Sequence, residues 1–133
     1  MTPRLRVRLG RVVAAVVTVV AMGGVVACSD ATPHPDYFAP VDAARPADFD
    51  YTIPPGTGAK IAADQPVSIL PAVLNAKIGQ TIRISNNDTV GETAGPFWVG
   101  PGKVIALRFS SSAHIDSYCQ LHPSGKLIIN VTA

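Results

Sequence analysis

An all-β fold, a Greek-key β-sandwich, is what this sequence predicts. Apolar residues alternate with polar ones in short bursts, the period of a half-buried strand. Turn formers separate the bursts: 11 glycines and 12 prolines stand in 133 residues, with Asn and Asp clustered among them. No segment between those turns keeps apolar side chains at helical spacing for long enough to form a stripe. Short strands at this spacing fit two packed sheets.

The elements follow in order. YTIPPGT (51–57) predicts a strand stopped by a Pro-Pro-Gly turn. AKIAA and VSILPAVLNA (59–63 and 67–76) predict one or two short extended segments, the second interrupted at Pro71. In QTIRISNND (80–88), Ile82 and Ile84 face one way and Thr81, Arg83 and Ser85 the other. Asn87 and Asp88 are expected to form a turn closed by side-chain-to-backbone hydrogen bonds. GPFWVGPGK (95–103) gives a strand and a tight turn, VIALRFS (104–110) and HIDSY (114–118) alternate again, and KLIINVT (126–132) closes the sheet.

The first 27 residues have a different character. Arg4, Arg6, Arg8 and Arg11 precede a run of small and apolar residues from Val12 to Ala27, the charged and apolar regions of a secretory signal. The run is shorter than the roughly 20 residues that span a bilayer. It ends in VVAC, which resembles the lipobox of bacterial lipoproteins, so Cys28 is expected to carry lipid and become the mature N-terminus. Residues 28–50, rich in Pro, Ala and Asp, read as a flexible tether, with His34 solvated within it. Residues 51–133 are the folded domain. The implied location is the extracytoplasmic face of the cell membrane. The leader takes four of the 11 basic residues, leaving seven against nine acidic ones, so the mature chain is net −2 and offers no nucleic acid a basic surface.

With Cys28 committed to lipid, Cys119 in YCQLHPSG (118–125) has no partner for an intramolecular disulfide. It is then buried and inert, bridged to another chain, or a metal ligand. Strand parity puts Ile115, Ser117 and Cys119 on the inward face and His114, Asp116 and Tyr118 on the outward one. His114 is therefore the wrong histidine for a site with Cys119. His122, a short loop away, is the right one, since thiolate and imidazole can converge on one ion. Trp98 and Tyr118 are expected to be half-buried packing residues.

Taken together, YTIPPGT, IGQTIRISNNDTV, GPFWVGPG and YCQLHPSGKLIINV, spread over residues 51–132, resemble the cupredoxins, the plastocyanin and azurin class of small copper-binding sandwiches. The resemblance implies a thiolate ligand at Cys119 and an imidazole at His122. It also implies an upstream histidine four residues past the Asn-Asp aspartate, where this chain has Glu92, and an axial methionine where it has Leu127. Two readings follow. In one, Glu92 is a ligand and a Glu-Cys-His set holds one copper ion with a position left open, a set that also suits Zn(II). In the other, Glu92 is a solvated loop residue and the site has degenerated.

The expected function is that of a membrane-anchored copper-binding protein passing electrons or copper ions to a protein partner. The alternative is a cupredoxin-like binding or assembly module without a redox metal. An enzyme is not expected. There is no Ser-His-Asp arrangement, phosphate-cradling loop, paired-carboxylate signature or dithiol, and a Cys–His nucleophile would lack an orienting group.

Overall fold

The alternation of QTIRISNND is realised in a computed structural model that describes residues 36–133. Ile82 and Ile84 are fully buried while Thr81, Arg83 and Ser85 lie toward the outer face. This strand, Thr81–Asn86 (β4), is the fourth of nine among the described residues; with the others, Phe38–Pro40 (β1), Phe49–Ile53 (β2), Val73–Lys77 (β3), Glu92–Ala94 (β5), Phe97–Val99 (β6), Val104–Phe109 (β7), Ala113–Tyr118 (β8) and Lys126–Thr132 (β9), it builds an all-β sandwich. One sheet has the order β1-β7-β4-β2 and the other β3-β9-β8, with β5 and β6 forming a separate hairpin. The chain crosses between sheets from β2 to β3, β3 to β4 and β7 to β8, as in a Greek key. Ile82 and Ile84 from one sheet meet Leu74, Leu127, Ile129 and Val131 from the other, with Phe97 and Phe109 filling the remaining core.

Two of the sequence expectations need correction. The first is the tether. Residues 28–50 contain β1, which pairs antiparallel with β7 through Phe38↔Phe109, and the start of β2, whose Phe49 and Asp50 pair with Ile82 and Arg83. Phe38 is 4 % exposed, with its ring 4.9 Å from Phe97 and 5.8 Å from Phe109. The Phe38 ring fastens this Pro/Ala/Asp-rich stretch together with Phe49, which packs on Phe109, and with Arg83, which donates to the Ala43 carbonyl. The leader, Cys28 and His34 lie outside the described residues.

The second correction concerns AKIAA, which lies mostly in a helix, α1, Thr57–Ala62. Six residues are too few to show a periodic stripe, and the group that caps this helix comes from far away in sequence. The Asp88 carboxylate accepts the N–H groups of Gly56 at 3.1 Å and Gly58 at 2.7 Å. The break at Pro71 is present as expected: β3 starts two residues after it, and the preceding Ile69 and Leu70 donate their N–H groups to the Leu121 carbonyl at 2.8 and 3.2 Å.

If β1 is held by its aromatic anchor, Phe38→Ala will destabilise the fold by about 3–5 kcal/mol, the usual range for emptying a buried ring site. Urea unfolding followed by Trp98 fluorescence measures this. A change below about 1 kcal/mol would mean β1 is a passive edge.

Candidate metal site

β8 ends where the described chain is most tightly tied. Cys119, the next residue, is fully buried and forms no disulfide. Its N–H donates to the Gly125 carbonyl at 3.0 Å, and Gly125 N–H donates to the His122 carbonyl at 2.9 Å, which closes the loop on itself. The next residue, Gln120, bonds twice to β5: its N–H donates to the Thr93 carbonyl at 3.0 Å, and its side-chain oxygen accepts from Thr93 N–H at 2.9 Å. Leu121, fully buried, takes the two N–H groups of Ile69 and Leu70. The thiol therefore sits on a backbone with little freedom to move.

Two opposed effects act on the Cys119 thiol. Burial pushes it up, because a thiolate would lose its hydration. Against this, the backbone groups of Leu121, Gly95 and His122 favour the thiolate. Burial wins, so without a cation the sulfur keeps its proton. Gly95 can stand this close because it turns the β5–β6 hairpin at φ 64° and because a Cβ there would lie 2.7 Å from Leu127 Cδ2. Leu127, at the axial position the resemblance implies, is fully buried and offers carbon alone.

His122 lines the same cleft as Cys119, a space of about 340 Å³ bounded also by Ile61, Asp64, Tyr118 and Gln120. Its ring is turned toward the loop. Nδ1 lies 2.7 Å from Ser124 Oγ and accepts the Ser124 N–H at 3.1 Å. His114 is exposed as expected and pairs with Asn130 instead, 2.7 Å from Nδ1 to Oδ1.

Glu92, the chain's one glutamate, is no solvated loop residue. It opens β5 opposite Val99 and is 1 % exposed. Its Oε1 is buried without a hydrogen-bond partner and rests against α1, 2.9 Å from where a Cβ on Gly58 would be. Burial pushes this carboxyl up, and the nearby Asp88 charge adds to the effect. Glu92 does not line the Cys119–His122 cleft. Among the described residues, no three His, Cys, Asp or Glu side chains stand close enough to hold one ion, so the structure does not assemble Glu92, Cys119 and His122 into a ligand trio. The physical reason is visible at both ends: α1 covers Glu92, and Ser124 occupies His122.

Three residues of this region escape sequence reading. Asn86 donates from Nδ2 to the Val90 and Val99 carbonyls at 2.8 and 3.0 Å and accepts Asp88 N–H at 2.8 Å, so Asn86 and Asp88, rather than Asn87, organise the turn. Gly58 leaves the room that Glu92 occupies. Ser124 was hidden in an ordinary Pro-Ser-Gly turn. The Asn-Asp pair was the one available signal. Trp98 and Tyr118 are 61 % and 64 % exposed rather than half-buried, Trp98 lying across Gly91.

No protein-family model matches the chain, and no curated protein matches it in sequence. Among solved structures it is similar to a purple cupredoxin from Nitrosopumilus maritimus, 18 % identical with a TM-score of 0.43 over 63 % of this chain and 99 % of that one. It is also similar to amicyanin from Paracoccus versutus, 16 % identical with a TM-score of 0.43 over 71 % of this chain and 99 % of that one. Both scores are low, and the chemistry below rests on this chain's own side chains.

The raised Glu92 carboxyl fixes the sign of a pH effect. Folding favours its protonated form. Well below the ordinary carboxylate range both states hold the proton and nothing is lost. As pH rises through that range the unfolded chain gives up its proton first, and this residue's contribution to stability falls until the folded carboxyl ionises too. Glu92→Gln will therefore gain stability over the native chain at about pH 8, and the gain will shrink toward about pH 4. Urea midpoints at the two pH values test this; a difference that does not change with pH would contradict it.

Proposed function

We propose that this chain is a copper-binding protein, held by lipid on Cys28 at the outer face of the cell membrane. In this reading it takes up one copper ion through Cys119 and His122, which share one cleft, while Glu92 stands outside it. Its work is to carry electrons or to hand on copper to a protein partner, rather than to catalyse a reaction. The observation that carries the reading is the Cys119 thiol: buried, without a sulfur partner, on a loop held by backbone hydrogen bonds, in the cleft that His122 also lines.

Thiolate and imidazole on one cleft fit copper by donor chemistry, since a soft sulfur donor selects Cu(I) and an imidazole serves both oxidation states. Copper, when bound, supplies one-electron exchange. The protein supplies a thiol whose position is fixed by the Gly125 and Thr93 bonds around it, and a cleft that Ile61 and Tyr118 narrow. Glu92 is outside this set: its buried carboxyl oxygen has no partner, and a proton removes the cost of a bare charge there.

The second reading, a sandwich without a redox metal, has one observation in its favour: the three donors are not gathered. Metal titration of the full chain carrying Cys28→Ser, so that Cys119 is the only thiol, separates the two. One copper per chain is expected, with an intense thiolate-to-copper absorption band and a paramagnetic resonance signal in the Cu(II) form. Cys119→Ala should abolish the band, His122→Ala should shift it, and Glu92→Ala should leave it in place. Absence of both the band and any competition for Cu(I) would leave the metal-free module standing.

A further inference from the structure

We propose that Ser124 is a lock on His122 that competes with the metal for the imidazole lone pair. This rests on the copper reading above and adds a residue to it. A backbone N–H can only donate, so the 3.1 Å bond from Ser124 N–H to Nδ1 means that Nδ1 carries no proton. The Ser124 hydroxyl, 2.7 Å from the same atom, then donates to it as well. The neutral ring therefore keeps its one proton on Nε2, and its one lone pair is held by two donors from a residue two positions away.

A metal ion needs that lone pair. Ligation through Nδ1 breaks both Ser124 bonds. Losing both bonds sets a threshold on closing the site.

The lock is tested with the full chain carrying Cys28→Ser, with Cu(I) supplied from a competing chelator. In the metal-free protein, a through-hydrogen-bond coupling between the Ser124 amide nitrogen and His122 Nδ1 is expected by nuclear magnetic resonance, and it should vanish as Cu(I) is added. Ser124→Ala, which removes the hydroxyl bond, should tighten Cu(I) binding by about tenfold, the equivalent of one hydrogen bond. Ser124→Thr, which keeps the hydroxyl, should bind as the native chain does. If Ser124→Ala binds Cu(I) no more tightly than the native chain, or the coupling is absent, there is no lock and the copper reading survives. If none of the three chains takes up Cu(I), the copper reading fails and the lock fails with it.

Discussion

The fold around the candidate site depends on one carboxylate. Asp88 leaves the end of β4 and accepts three backbone N–H groups, those of Gly56, Gly58 and Thr89. This holds its carboxyl below the usual carboxylate range, since every one of those bonds favours the charged form. It also decides where α1 begins, because the helix has no capping side chain of its own. With Asn86 bonded to the carbonyls of Val90 and Val99, the end of β4 is joined to α1 on one side and to the β5–β6 hairpin on the other. A charge in this position serves better than an apolar residue would, because the donors it satisfies are the orphan N–H groups of a helix start.

Once α1 is fixed, its neighbours are constrained in turn. Gly58 lies over Glu92, and Ile61, one helical turn on, lies at the rim of the cleft that Cys119 and His122 share. The two carboxylates in this corner have opposite fates. Asp88 is surrounded by donors and is held low; Glu92 has a bare oxygen and is pushed up, partly by Asp88 itself.

The legible part of the site was the part written in local sequence. Cys119 is inward because strand parity from Ile115 makes it so, and His114 is outward for the same reason. Neither needed a tertiary fact. Glu92 was legible as a position but not as an environment: beside Gly91 it looked like a loop residue, and only the pairing with Val99 and the approach of α1 bury it. Phe38 was missed because one ring among Pro, Ala and Asp gives no period to detect.

By itself the sequence determined the all-β class, the inward and outward faces of β4 and β8 and the break at Pro71. These follow from period-two alternation and from turn residues, which act over a few positions. Tertiary structure alone decided that TGAKIA is a helix, that Glu92 is buried and that the three candidate donors stand apart. Each of these turns on a contact between residues some 30 positions distant or on a hydrogen bond within a turn, and no local pattern encodes either.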